Sequence, residues 1–475
     1  MTRYLVGIDN GSQSSKVTVF DERGGVVAEG RVPLRPNHTP APGVVEHPDD
    51  DLWDSIAAAC RIAMEAFPGD PSEIVGVGLC TIRFCRAVLR ADGSLAQPVL
   101  SWMDARVGAP FVAEQDDVAY VTTSSGYVTH RLTGAFRDTA ANYQGVWPID
   151  TDTWRWSEDE ASYAATGMRR DQLFELVAPG AVLGTVTAEA AAATGLPVGL
   201  PVVATANDKA VEALGCGLLD PTTLLVSLGT YIAGMSVGER NIDGASDFWT
   251  NFGSEPGRYL YESGGIRRGM WTVSWFRDLL GPDFAAAADA AGERAEDRLG
   301  REAADVPAGS DGLLTVLDWL APADATFRKG SILGFDGRQG RAHVYRSILE
   351  GIAMTMRDRG DAMAAELGTA YRRVVVSGGG SSSDLMMQIM SDVFQAPTIR
   401  VVGDSAAGRG AAICAAVATG VHPSFEAAAA AMVVERDRFT PDPSAAAVYD
   451  ALRAVHADVT AHTDEVYRRT AAIVG

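Results

Sequence analysis

Residues 4–9 read YLVGID, an apolar run of strand length that ends on a carboxylate. The polar stretch NGSQSS follows, then KVTVF, the turn DERGG and VVAEG. Short apolar runs bounded by glycine-containing polar turns predict buried strands joined as hairpins, so the chain opens as an antiparallel meander. At 49–67 the period becomes helical, with Leu52, Ile56, Cys60, Ala63 and Phe67 on one face and Asp49 or Asp50 as N-cap. IVGVGLC at 74–80 predicts another buried strand.

The opening logic returns in TLLVSLGTYIAGMSVG at 223–238: strand, glycine turn, strand. Two such hairpins, one in each half, imply an internal duplication. A helix over 343–367, a strand in RVVVSGGG (373–380) and an amphipathic helix over about 444–472 continue the second half. Pro/Ala-rich stretches at 33–42 and 439–445 read as surface connections, and no low-complexity linker parts the halves. The expected architecture is α/β. It has a first domain over 1–218, a second over 219–440, and a helix in 441–475 that packs back on the first. The ligand is expected in the cleft between duplicated domains.

Composition narrows the partners. Forty Lys and Arg against 61 Asp and Glu give a net charge of −21, which argues against nucleic acid. Solubility alone would also account for the charge, but any anionic ligand then needs backbone N–H groups, a few placed cations or Mg²⁺. No run of about 18 apolar residues predicts a membrane helix, and no signal peptide is expected at the start. The five cysteines (Cys60, Cys80, Cys85, Cys216, Cys414) are odd in number and lack metal-type spacing, so a reducing, cytoplasmic setting is expected.

Four turns carry candidate chemistry. DNGSQSSK (9–16) places Asp9 at a strand end, then small and hydroxyl residues, then Lys16. Glycine lets backbone approach an anion, and Asp9 can hold Mg²⁺ directly or through water. A plain hairpin turn favours the same residues. SLGT (227–230) is weaker alone, but as the matching turn of a duplicated half it completes a phosphate clamp. VVVSGGGSSSDLMMQIMSDVFQAP (374–397) puts three glycines and a serine-rich cap between a strand and a helix whose Leu385, Met386, Ile389, Met390 and Val393 face inward. Such a junction suits a nucleotide, though it also serves as a flexible helix entry. VVATANDKAVEALG (202–215) breaks a buried run at Asn207-Asp208-Lys209, where Asp208 is either a helix cap or a chemical group.

With these turns in place the chain resembles the FGGY family of carbohydrate kinases. DNGSQSSK is similar to the family's first phosphate motif, and SWMDAR (101–106) to its Trp-x-Asp-x-Arg segment. RLTGAFRDTAANYQG (131–145) resembles its Leu-Thr-Gly segment, and SLGT its second phosphate motif. APADATFRKGSILGF…HVYRSILEGIA and GGGSSSDLMMQIMSDVF resemble its C-terminal signatures. The motifs fall in order over nearly the whole chain.

The resemblance implies a duplicated actin-like, ribonuclease-H-like fold and an ATP- and Mg²⁺-dependent phosphorylation of a small uncharged sugar or polyol. Asp208 falls at the catalytic position, orienting a hydroxyl and taking its proton. Gly11, Ser12, Gln13, Ser14, Lys16, Gly229, Thr230, Gly378, Gly379, Gly380, Ser381 and Asp384 are then implied to hold ATP, and Asp9 with Asp208 the metal. Arg83, Phe84, Trp102, Asp104 and Asp208 are implied to meet the sugar. Lys209 reaches a phosphate or pairs with a nearby acid. A silent sugar-binding relative or an actin-fold ATPase of another function is the alternative, and a homodimer is left open.

Two departures bear on specificity. The chain is shorter than its relatives between Trp102 and Gly134, at the rim of the sugar pocket. Arg83-Phe84 stands where glycerol kinases carry Arg-Glu and xylulokinases Met-His, so a structural salt bridge for Arg83 competes with a sugar contact. Neither glycerol nor D-xylulose is expected to be the best acceptor. Phosphorylated sugars are expected to be poor, since only Arg83 and Arg106 could meet a second phosphate.

Overall fold

In the computed structural model, which describes residues 3–322, 325–403 and 405–474, the opening meander forms as β1 (Tyr4–Asn10), β2 (Ser14–Asp21) and β3 (Val26–Pro33). Helix α1 (Asp51–Ala66) follows, and its Leu52, Ile56, Cys60 and Ala63 are all buried. Asp50 occupies the N-cap but makes no capping bond, because its carboxylate is taken by the Tyr127 hydroxyl and Arg131. Strands β4 (Ile74–Thr81), β5 (Val182–Thr185) and β6 (Pro201–Ala204) complete the first sheet in the order β5-β6-β4-β1-β2-β3. Helix α2 (Asp208–Gly215) leads out of it.

The second half repeats the plan. Its strands are β7 (Thr223–Leu228), β8 (Ile232–Gly238), β9 (Phe248–Phe252) and β10 (Tyr259–Ser263). After helix α3 (Arg341–Leu367) come β11 (Arg373–Ser377), helix α4 (Asp384–Phe394) and β12 (Thr398–Val401). Helix α5 (Ala406–Ala418), β13 (Glu435–Phe439) and helix α6 (Pro443–Val474) close the chain. The second sheet runs β9-β10-β8-β7-β11-β12-β13. Around β1 the neighbours are antiparallel β2 and β3 on one side, parallel β4 and β6 on the other; around β7 they are β8 and β10, then β11 and β12. This shared order is the duplicated ribonuclease-H-like arrangement. The central strands read as continuous apolar runs because helices cover both faces.

The halves share helices at their junction. Although α5 follows β12, it packs on the first sheet, where Ala412, Ile413 and Ala416 join Leu5, Phe20 and Val203 in one apolar cluster. Glycine makes this possible. A Cβ on Gly7 would lie 1.9 Å from the Gly408 carbonyl oxygen, one on Gly78 1.9 Å from that of Ala411, and one on Gly215 1.8 Å from that of Ala406. Helix α2 faces the other way, with Ala210, Val211 and Ala213 in the core of the second half.

One expectation is corrected. Helix α6 packs on the second domain, not the first. Tyr449, Arg453 and His456 repeat at helical spacing on the face it turns to α3 and its surroundings. The Tyr449 hydroxyl bonds Glu350 at 2.8 Å, Arg453 bonds Asp358 and Asp361 at 2.6 and 2.8 Å, and His456 Nε2 sits 2.9 Å from the Thr315 carbonyl.

Gly215→Ala should destabilise the protein, by about 1–3 kcal/mol or more, because rigid backbone meets the new methyl. Gly108→Ala, whose Cβ would meet nothing within 4 Å, should stay within about 0.5 kcal/mol. Unfolding midpoints compare the two; equal midpoints would show that α2 and α5 part easily.

Candidate active site

Strand β6 ends at Ala204, and Asn207 then caps α2 by accepting hydrogen bonds from the backbone N–H groups of Lys209 and Ala210, both 3.1 Å. Asp208 is thereby the first residue of the helix. Its Oδ1 is buried without a hydrogen-bond partner among the described residues, 3.8 Å from Arg83 Nε. Burial raises its carboxyl above the usual carboxylate range, against the pull of Arg83 and Lys209. One turn on, Glu212 accepts from Ser227 (2.7 Å), Ser377 (2.5 Å) and Lys209 Nζ (2.8 Å). Burial would raise Glu212, but the Lys209 pair outweighs it and the group is held low. Glu212 thus ties α2 to the ends of β7 and β11, and Lys209 is the partner of this acid.

Asp9 stands at the end of β1, opposite Lys16 on β2. Its carboxyl is pushed up to about 7 by burial and by the neighbouring charges of Asp208 and Glu212. Lys16 is 2.9 Å from Glu29. Clustered carboxylates at strand ends favour a bound cation. Mg²⁺ in phosphotransferases needs only one or two protein carboxylates, the substrate's phosphates and water supplying the rest. Asp9, raised by its acidic neighbours, and the unpartnered Oδ1 of Asp208 fit that demand.

A cleft of about 1760 Å³ has Gln13, Gly229, Thr230, Gly379, Gly380 and Asp384 on its walls, and Leu228, also on its wall, follows Ser227, the partner of Glu212. Both hairpin turns and the triple-glycine junction therefore meet in one space. Gly378 has φ +80°, and a Cβ there would lie 2.6 Å from the Leu228 carbonyl oxygen, so only glycine allows the junction to lie against β7. Ser381 folds back to bond the Gly378 carbonyl at 2.7 Å. Asp384 is 2.7 Å from Arg400, a partner the sequence did not suggest. Gly11 closes its turn by bonding the Ser14 carbonyl at 3.1 Å, leaving Ser12 and Gln13 exposed.

The loop after β4 carries Arg83 and Phe84 to the border between the halves. Arg83 forms a bidentate pair with Glu262 on β10, at 2.7 and 3.0 Å, and Glu262 is only 1% exposed. Its guanidinium lies 4.8 Å from the Trp249 ring centroid and 5.3 Å from that of Phe84. Phe84 is held at φ +65° and stacks on Trp249 with centroids 6.2 Å apart. Trp102 is 47% exposed, and its backbone lies against the Cys85 thiol at the end of this loop.

Asp104, expected to meet the sugar, is turned inward instead. Its buried carboxylate accepts four hydrogen bonds, from the backbone N–H groups of Val45 and Arg106 and twice from the Arg106 guanidinium, at 2.8–2.9 Å. Four acceptor sites on a carboxylate are then filled. Arg106 is committed as well, to Asp104, Glu46 and Glu114. The sequence reading missed Glu212, Glu262 and Trp249. Glu212 lies four residues after Asp208, a spacing that puts both on one helix face; Glu262 and Trp249 come from a distant hairpin and carry no local signal.

Removing one partner of a buried ion pair costs about 3–5 kcal/mol, whereas replacing both with apolar groups is often neutral. Glu262→Ala and Arg83→Met should each lower the unfolding midpoint, and the double variant should lose less than their sum. Additive losses would mean that the pair holds nothing across the border. His47, buried beneath the loop with Nε2 3.9 Å from Cys85 Sγ, is held below the ordinary imidazole range by burial, Asp51 pulling the other way. The unfolded chain therefore takes up a proton that the fold refuses, so this stability is present above about pH 6.5 and lost as pH falls below it. The midpoint should drop less between pH 7 and pH 5 in His47→Leu than in the parent; parallel curves would rule this out.

The N-terminal domain model of the FGGY family of carbohydrate kinases matches residues 4–114 and 109–215, and the C-terminal domain model matches 224–419. The uncharacterized sugar kinase YgcE of Escherichia coli (strain K12) is 47% identical over 469 residues, covering 98% of this chain and 95% of its own. The xylulose kinase of Bacillus subtilis (strain 168) is 25% identical over 98% of each chain. Among solved structures, xylulose kinase from Rhodospirillum rubrum matches with a TM-score of 0.84 at 25% identity, over 98% of this chain and 100% of that one. Gluconate kinase from Lactobacillus acidophilus shares the fold, with a TM-score of 0.84 at 18% identity over 99% and 100% of the two chains. The chain belongs to the FGGY family of carbohydrate kinases and is a phosphotransferase.

Proposed function

We propose that the protein transfers the γ-phosphoryl group of ATP to a hydroxyl of a small uncharged sugar or polyol, with Asp208 as general base. The observation that carries this reading is the buried, unpartnered Oδ1 of Asp208, on the helix that Glu212 ties to Ser227, just before the glycine turn that walls the cleft. Phosphoryl transfer asks the protein for positioning and charge neutralisation more than for a strong base. Asp208 orients the acceptor hydroxyl and accepts its proton as the bond to phosphorus forms, and burial, which raises its carboxyl, makes it a better acceptor. Arg83, 3.8 Å away, holds that carboxylate in place. Glu212 fixes α2 against the strand that carries the second turn.

The turns at 11–14, 229–230 and 378–382 offer backbone N–H groups to the phosphates, and Asp9 with Asp208 would hold Mg²⁺, which supplies neutralisation of phosphate charge. Phe84 and Trp102 supply apolar surface to the acceptor. Arg83 is spent on Glu262 and Asp208, so the acceptor lacks both the acid and the imidazole expected at this position in glycerol kinases and xylulokinases. Neither glycerol nor D-xylulose is then the preferred acceptor.

Two measurements test this. Asp208→Asn should lose about 10²–10⁴-fold in kcat while nucleotide affinity stays within a few-fold. Retention of more than about a tenth of kcat would refute the assignment. ATP consumption across polyols, aldoses and ketoses, with products identified by NMR, should show an acceptor other than glycerol or D-xylulose with the highest kcat/KM. A tenfold lead for either of those two would sink the specificity reading and leave Asp208 standing.

A further inference from the structure

We propose that the cavity lined by Phe84 and Trp249 is an acceptor subsite for the distal part of an uncharged polyhydroxylated chain, and that it excludes anionic sugars. The proposal deepens the phosphotransferase reading above and rests on it. The cavity has a volume of about 310 Å³ and is built by both halves: Phe84, Gln144 and Trp147 from the first, Trp249, Asn251 and Tyr259 from the second. That volume is within the range of small-molecule sites.

Its polar groups call for a ligand. Both amide atoms of Gln144 are buried without hydrogen-bond partners among the described residues, and so is Oδ1 of Asn251, a residue only 1% exposed. Buried polar atoms are nearly always paired, so three around one cavity call for donors and acceptors from outside the chain. An amide presents a donor and an acceptor side by side, the complement of two adjacent hydroxyls. The aromatic walls give flat apolar surface to the C–H faces of such a chain. Phe84 is held at a positive φ, costly for a bulky residue, and its ring contacts both the Arg83 guanidinium and the Trp249 ring.

The cavity is joined to the reacting centre. Asn251 Nδ2 donates to Glu262 at 3.4 Å, Glu262 holds Arg83, and Arg83 lies beside Asp208. An acceptor whose hydroxyl meets Asp208 and whose far end reaches Gln144 would have to extend past the Arg83–Glu262 pair that lies between them in this chain of contacts. No charged side chain lines the cavity, so a carboxylate or phosphate entering it would be buried unpaired.

The test uses the full-length protein and its variants Gln144→Leu and Asn251→Leu. Binding is read from tryptophan fluorescence, since Trp147 and Trp249 line the cavity, with glycerol, xylitol, glucitol and gluconate as probes. KM and kcat are measured for each probe that turns over. We expect xylitol or glucitol to bind the parent, and each variant to weaken that binding about 10–100-fold with any glycerol binding unchanged. Gluconate should bind at least tenfold more weakly than glucitol. Circular dichroism and ATP-analogue affinity establish that the variants fold, and either one alone suffices for the comparison. Unchanged binding in both folded variants, gluconate matching glucitol, or no neutral probe binding the parent would each overturn the subsite. Variant-sensitive binding without ATP turnover would instead keep the subsite and overturn the phosphotransfer reading.

Discussion

Everything in the cleft depends on backbone touching backbone. Helix α5, from the second half of the chain, lies against the first sheet through Gly7 and Gly78 and against α2 through Gly215 and Gly410. A methyl group at any of these contacts would fall about 2 Å from a carbonyl oxygen. The seam fixes α2, and α2 carries Asp208 at its first residue and Glu212 one turn later.

The second constraint is electrostatic. Asp9, Asp208, Glu212 and Glu262 crowd one region with Lys16, Lys209 and Arg83 as counter-charges. The cations are unevenly committed. Lys209 pairs with Glu212 and Lys16 with Glu29, while Arg83 pairs with Glu262 at 2.7 Å and stands 3.8 Å from Asp208. Using Arg83 to bind Glu262 also changes the acceptor site, because a group that could have met hydroxyls becomes a bond between the halves.

The central strands were legible in the sequence because they are buried on two faces and read as unbroken apolar runs. The turns at 9–16, 227–230 and 378–380 were legible as glycine turns, and only their recurrence in both halves set them apart from plain hairpin turns. Packing between distant segments was not legible. Helix α6 has charged and apolar residues on several faces, and only the positions of Glu350, Asp358 and Thr315 decide which face is buried. Asp104 read as a sugar contact because its motif names residue types, not directions; the side chain turns inward to Arg106 and Val45. Glu262 and Trp249 were invisible for a related reason, since their partners lie 179 and about 165 residues away in the chain.

The acidic composition posed a question that the cleft answers. A polyphosphate must bind to a chain of net charge −21, yet the cleft is not a basic pocket: five arginines and five carboxylates line it. Several of those arginines are already paired, Arg294 with Asp297 at 2.6 Å and Arg301 with Glu293 at 3.0 Å, while Arg31 bonds only the Ser14 hydroxyl at 3.1 Å. Side-chain charge therefore adds little net attraction. What remains is the backbone of the three glycine turns that line the cleft. Fixed dipoles act over a few ångströms and discriminate by shape, whereas a basic patch would attract any anion. An acidic protein with a dipole-lined cleft thus recognises an anion by its shape more than by its charge.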